Sequence, residues 1–228
     1  PSSEAKRPLR HPSLSPGWPE IAIGLITYLL LIILIGLWLL QMPDDQAAWR
    51  GIVGMGANGV AGTLALLAAL LLRIRDLRAF GFRAVERRWL WIGVLLGIVA
   101  VGLSFAIEHV YFSFITEPNT QGDFQAAAQA GPLMLFLLVV TGALLTPLGE
   151  EVLFRGVIAN ALNRYGAWAG VVGSAAIFGV VHGPSVILLN AFMVGILTGI
   201  LFRKTRSVWP ALAVHCVYNG IWLVIYSL

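Results

Sequence analysis

The chain has 228 residues, 58% of them hydrophobic and only 11% charged, whereas an ordinary soluble domain carries about 25% charged residues. That balance excludes a water-soluble fold, and at this length a single domain is the natural expectation. The formal charge of +4 does not point to nucleic acid, because the basic residues sit in short clusters between apolar runs, where membrane orientation explains them. The single cysteine, Cys216, lies inside an apolar run and can form no internal disulfide.

Residues 1–20 hold five prolines together with Lys6, Arg7 and Arg10, which reads as a disordered basic arm. It is not a signal peptide, since the apolar segment after it is too long and no small-residue cleavage site follows. A membrane helix needs about 20 mostly apolar residues, and seven segments are candidates, so the expected fold is an all-α bundle of about seven transmembrane helices forming one domain over residues 21–228. The first three, at 21–40, 52–72 and 90–111, lack interior charge apart from Glu108 and read as scaffold. Glu108, His109, Trp89, Trp91 and Trp209 lie near span ends, where interfacial anchoring is the default.

Between the second and third spans, residues 73–89 mix arginines with Leu77, Phe80 and Phe82. That pattern suits a segment lying on an anionic membrane surface, and an ordinary solvated loop suits it equally. The fourth span, 132–163, carries Pro147, Glu150, Glu151 and Arg155, and the fifth, 168–181, follows it as a hairpin. The sixth, 186–202, and the seventh, 208–226, form another hairpin around Arg203, Lys204 and Arg206. The site-bearing half is thus about 132–226.

Cytoplasmic loops are enriched in Lys and Arg. With these spans, Lys6, Arg7, Arg10, Arg73, Arg75, Arg78, Arg83, Arg87, Arg88, Arg164, Arg203, Lys204 and Arg206 fall on one side, thirteen of the fifteen basic residues. The other side receives Asp44, Asp45, Arg50, Glu117 and Asp123. The expected location is a multi-pass protein of the cell membrane with a cytoplasmic N-terminus and an outside C-terminus.

Charged side chains within a span cost at least about 2.5 to 3.5 kcal/mol each on insertion scales, so they mark pathways or sites. Folding the fourth and fifth spans about Gly166 leaves Glu150 and His182 each sixteen residues from the turn, roughly 24 Å along each helix, and so at one depth. Measured from the Arg203–Arg206 link, Asn190 and Asn219 lie thirteen residues away, or roughly 20 Å, with His215 one turn nearer the cytoplasm. His215 and Asn219 share a helix face, as Glu151 and Arg155 do. Adjacent Glu150 and Glu151 point about 100° apart, so one can face a cavity while the other pairs with Arg155. Pro147 and Gly149 predict a kink or break beside the acidic pair that admits water.

Peptide-bond hydrolysis needs a water, a base and donors to the developing oxyanion. Glu150 assisted by His182 supplies the base, His215 and Asn219 the donors, and Glu151 with Arg155 a fixed support. A second version binds Zn²⁺ through His182, His215 and Glu150, although the compact H-E-x-x-H signature is absent. The preferred version requires no cofactor.

Glu150-Glu151-x-x-x-Arg155, Phe178-x-x-x-His182 and His215-x-x-x-Asn219, in this order on late spans, resemble the CAAX-protease and bacteriocin-processing (CPBP/Abi) family of intramembrane proteases, type II CAAX prenyl endopeptidase-like. The resemblance implies an intramembrane endopeptidase acting on a membrane-associated protein or peptide, in eukaryotic members a prenylated CAAX-type one. It also implies that Glu150 and His182 activate water while His215 and Asn219 form the oxyanion hole. Members are often labelled metalloproteases, so it leaves the metal question open. Asn190 enters as a site neighbour. A proton-coupled transporter would also bury such groups, but no internal repeat relates early and late spans. A noncatalytic membrane binding or immunity protein that keeps the site for structure is the other alternative.

Overall fold

The computed structural model describes residues 15–228; residues 1–14 of the expected arm, with Lys6, Arg7 and Arg10, lie outside the described residues. The rest of the arm is not loose chain. Trp18, Pro19 and Glu20 form the first turn of α1 (Trp18–Leu39), with Pro where a helix has no use for an N–H. Glu20 is fully buried, accepts the Gly17 N–H at 2.8 Å and pairs with Arg73 Nε at 2.6 Å.

After α1 come α2 (Ala47–Ala69), α3 (Arg87–Phe112) and, in the link that follows, a short α4 (Gly122–Gln129). Then follow α5 (Pro132–Tyr165), α6 (Ala169–Val180), α7 (Val186–Thr205) and α8 (Val208–Ile225). Six helices, all but α4 and α6, are long and apolar enough to span a membrane, which makes this a multi-pass membrane protein and bears out the all-helical bundle. The fifth expected span is shorter than a span should be: at 1.5 Å per residue α6 reaches about 18 Å. It is packed between α5 and α7.

Large apolar side chains remain exposed along the outer helices, for example Ile26, Leu30, Ile33 and Leu37 on α1. Such a surface is suited to lipid. The interior is built around Tyr28, Leu153, Phe154 and Phe178.

Residues 73–89 behave as neither of the two expectations. The segment is docked on the ends of α5, α7 and α8: Phe80 is fully buried, and Asn160 Nδ2 donates to the Ala79 carbonyl at 2.7 Å. The Val208 N–H donates to the Gly81 carbonyl at 3.0 Å, and Ser207 Oγ donates to that of Arg83 at 2.7 Å. This tie, with Arg73–Glu20 and Arg203 Nη1 donating to Asn163 Oδ1 at 2.8 Å, gathers the described basic clusters at one end of the bundle. Arg50 is at the other end, held by both oxygens of Asp123 at 2.6 and 2.8 Å.

One helix crossing fixes the site. A Cβ on Gly149 of α5 would stand 2.0 Å from the Gly59 carbonyl oxygen, and one on Gly62 would stand 2.3 Å from that of Gly149. Only glycines permit backbones this close. The contact sets Asn58, next to Gly59, against Glu150, next to Gly149.

Candidate active site

The acidic pair lies on α5 between two π-helical stretches, Val140–Leu145 and Val152–Ala159. The expected break at Pro147 does not occur; the helix is wound wider instead. Thr146 donates its N–H five residues back, to Thr141. Pro147, five residues after Gly142, has no N–H to give. The Gly142 carbonyl is thereby left without a helix partner, and Asn219 Nδ2 of α8 donates to it at 2.9 Å. Wide turns of this kind recur at functional sites because they re-aim side chains without ending the helix.

Glu150 and Glu151 diverge. Glu151, 1% exposed, faces the interior: its Oε2 is 3.1 Å from Arg155 Nε and its Oε1 is 2.9 Å from His215 Nδ1. The Arg155–Glu151 approach is close but outside hydrogen-bond alignment, so charge holds the pair. Arg155 is fully buried, donates from Nη2 to Thr198 Oγ1, and lies 4.7 Å over the Phe178 ring.

Glu150 is 2% exposed and faces a cavity of about 490 Å³, within the size range of ligand clefts. Its Oε1 accepts from Asn58 Nδ2 at 2.9 Å and lies 3.9 Å from His182 Nε2; its Oε2 lies 3.5 Å from His215 Nε2. Asn58 is itself fixed by Tyr28, whose hydroxyl donates to Asn58 Oδ1 at 2.8 Å.

The two imidazoles are held alike. His182 Nδ1 is 2.7 Å from the Phe178 carbonyl, and His215 Nδ1 is 2.9 Å from a Glu151 oxygen. Both partners accept, so each Nδ1 carries the proton and each Nε2 is turned towards Glu150. Phe178 packs edge-on against both rings, at 4.7 and 5.7 Å between centroids.

Glu150, Phe178, His182, His215 and Asn219 thus line one cavity, while Glu151 and Arg155 support it from behind. Asn190 also lines it, yet donates to Glu108 at 2.8 Å rather than to the acidic pair. Glu108, expected at the interface, is a cavity residue. The first two spans, read as scaffold, contribute Tyr28 and Asn58. Asn58 had a signal, as the sole amide in an otherwise small and apolar span; Tyr28 had none.

The Zn²⁺ alternative rests on the donor set His182, His215 and Glu150. Two Nε2 atoms and Glu150 converge, the nitrogens 3.5 and 3.9 Å from its oxygens. Among the described residues no three His, Cys, Asp or Glu side chains are gathered closely enough to mark a metal site.

Two comparisons bear on this arrangement. Residues 130–221 match the family model described as type II CAAX prenyl endopeptidase Rce1-like. The chain is 28% identical over 133 residues to the Bacillus subtilis (strain 168) protein named "Putative membrane peptidase YdiL". That match covers 58% of this chain and 52% of the relative, so the chain spans about half the length of the curated relative it matches. No solved structure matches. The resemblance carried by the three motifs is borne out, and the site-bearing part of this chain is similar to the type II CAAX prenyl endopeptidase Rce1-like family.

Proposed function

We propose that the chain is an intramembrane endopeptidase in which Glu150 and His182 activate a water. The observation that carries this reading is the placement of Glu150: a carboxylate on a cavity wall, fixed by a neutral donor, Asn58, with two imidazole Nε2 atoms beyond direct contact. A water in the gap of 3.9 Å between Glu150 Oε1 and His182 Nε2 reaches both within hydrogen-bond distance.

The water oxygen attacks the scissile carbonyl carbon and its proton passes to Glu150. The carbonyl oxygen becomes an oxyanion beside His215 Nε2, which takes a proton from solvent before the attack, and the second N–H of the Asn219 amide, the first being held by Gly142. The proton on Glu150 then goes to the departing amine as the C–N bond breaks. Glu151, compensated by Arg155, keeps His215 oriented. No metal is required in this scheme.

The cavity runs towards Thr120, Gln121 and the Gly183–Ser185 turn, at the end of the bundle away from the basic clusters. With those clusters cytoplasmic, its mouth faces outside. A membrane-associated peptide reaching the bilayer from that face therefore suits the site better than a prenylated cytoplasmic C-terminus.

The test is cleavage of a panel of membrane-anchored peptides by the purified protein and by Glu150→Gln and His182→Ala, each confirmed folded, with a chelator in parallel. Cleavage by wild type alone, unaffected by chelator, is the expected result. Equal cleavage by all three overturns the site assignment, and loss on chelation with recovery on added Zn²⁺ overturns the metal-free scheme.

A further inference from the structure

Glu108 is a second carboxylate in the same cavity, one turn from the end of α3, and the scheme above leaves it unused. Its partner is Asn190, whose Nδ2 donates to Glu108 Oε1 at 2.8 Å. That bond uses one of the amide's two N–H donors. The amide's acceptor, Asn190 Oδ1, is buried with no hydrogen-bond partner, on a residue only 3% exposed. Leaving an acceptor buried and unpaired is destabilising. A fold keeps such an expense where a ligand relieves it.

The surroundings restrict that ligand. Among the described residues, no Lys or Arg lines the cavity. The end of the bundle outside it carries Asp44, Asp45, Glu117 and Asp123 against Arg50, which Asp123 already binds. Phe124, Tyr218, Trp222 and Tyr226 supply aromatic wall, which receives an alkyl stem and attracts a cation over its rings. Acceptors, negative charge and aromatic faces together suit a donor-rich cationic group.

We propose that Glu108 and Asn190 form a substrate subsite that takes a positively charged side chain, arginine or lysine, of the peptide being cut. This rests on the peptidase reading for the peptide as ligand. The guanidinium or ammonium donates to Glu108 and to the bare Asn190 Oδ1, and the peptide's charge fixes which bond is presented to Glu150.

The experiment is binding rather than turnover, so that it stands apart from the cleavage test. The full chain carrying Glu150→Gln, in detergent, is titrated with two sets of lauroyl-capped heptapeptides. The sets are identical except that one position in turn holds arginine or its neutral isostere citrulline; thermophoresis reports Kd. At one position the arginine peptide should bind at least about tenfold tighter, a preference of the size expected for a charge-assisted bond in a shielded site. Adding Glu108→Gln, which keeps an acceptor for Asn190, should bring the ratio to about one, and Glu108→Asp should retain part of it.

Equal binding of arginine and citrulline peptides at every position overturns the proposal, as does a preference that survives Glu108→Gln. Absence of cleavage in the earlier test alongside a Glu108-dependent preference would instead remove the peptidase reading and keep the subsite.

Discussion

Replacing Arg155 by Met isolates what holds Glu151. Arg155 has no exposed side-chain surface, Glu151 has 1%, and the two approach to 3.1 Å. Met matches the bulk of the side chain but leaves Glu151 buried with His215 as its remaining polar partner. Removing one member of a buried pair costs about 3–5 kcal/mol, because the other is left as an uncompensated charge. The Phe178 stacking, at 4.7 Å, and the Thr198 bond add to the loss.

For a chain of this size each kcal/mol moves the midpoint by roughly 2–4 °C, so Arg155→Met should lower the thermal midpoint in detergent by on the order of 10 °C. Glu151→Gln combined with Arg155→Met removes both charges and should recover at least half of that drop, since a buried pair replaced by neutral groups of similar volume is often near neutral in stability. Circular dichroism melts of the wild type, both single variants and the double variant form the cycle. A double variant as unstable as the sum of the singles would show no coupling and would refute the assignment of Arg155 as the counter-charge of Glu151.

Gly149→Ala would place a methyl 2.0 Å from the Gly59 carbonyl oxygen; backbone cannot yield as a side chain does, so a loss of about 3 kcal/mol or more is expected, read as a lower melting midpoint. A midpoint within 2 °C or so of wild type would contradict the crossing. Asn58→Leu removes the donor to Glu150 Oε1 without removing either histidine. Under the proposed chemistry kcat should fall by about a hundredfold, the scale of losing one positioned donor, and an unchanged kcat in a folded variant would remove Asn58 from the site. Arg73→Met strips the partner from the buried Glu20 carboxylate; because Arg73 is itself 40% exposed, the melting loss should be smaller than that for Arg155→Met, and a larger one would reverse the ranking of the two pairs.

What the sequence made legible was set by depth and period. Glu150 and His182 could be matched because two helices joined at Gly166 must bring residues equally far from the turn to one level, and their approach to 3.9 Å agrees. His215, His182 and the acidic pair stood out by charge alone. Asn58 did not, because a search for charge passes over an amide, although an amide among glycines and alanines in a span is as exceptional. Glu108 was misread for a different reason. Its place near a helix end suggests an interface, and only the fold of the following link reveals that Thr120, Gln121 and Phe124 stand over the same cavity.

The docking of residues 73–89 was illegible because Phe80 and Phe82 look alike in an arginine-rich segment, yet only Phe80 is fully buried. Contacts made by ends of remote helices leave no periodic trace.

The charge count gives the two acids different tasks. Glu150 and Glu151 face a single fixed cation, Arg155, which lies against Glu151 and not against Glu150. With both carboxylates ionised and both imidazoles neutral the cluster would carry one net negative charge in a site shielded from water, an expensive state. One added proton removes it. Glu151 is compensated by Arg155 and accepts from His215 Nδ1. In the proposed scheme the added proton rests on His215 Nε2, 3.5 Å from Glu150 Oε2, where it serves the oxyanion. Hydrolysis needs one mobile proton that can leave water, rest on a carboxylate and reach an amine. In that scheme the mobile proton comes from the attacking water, so Glu150 must start ionised; Asn58, a neutral donor, holds it without compensating its charge as a second arginine would.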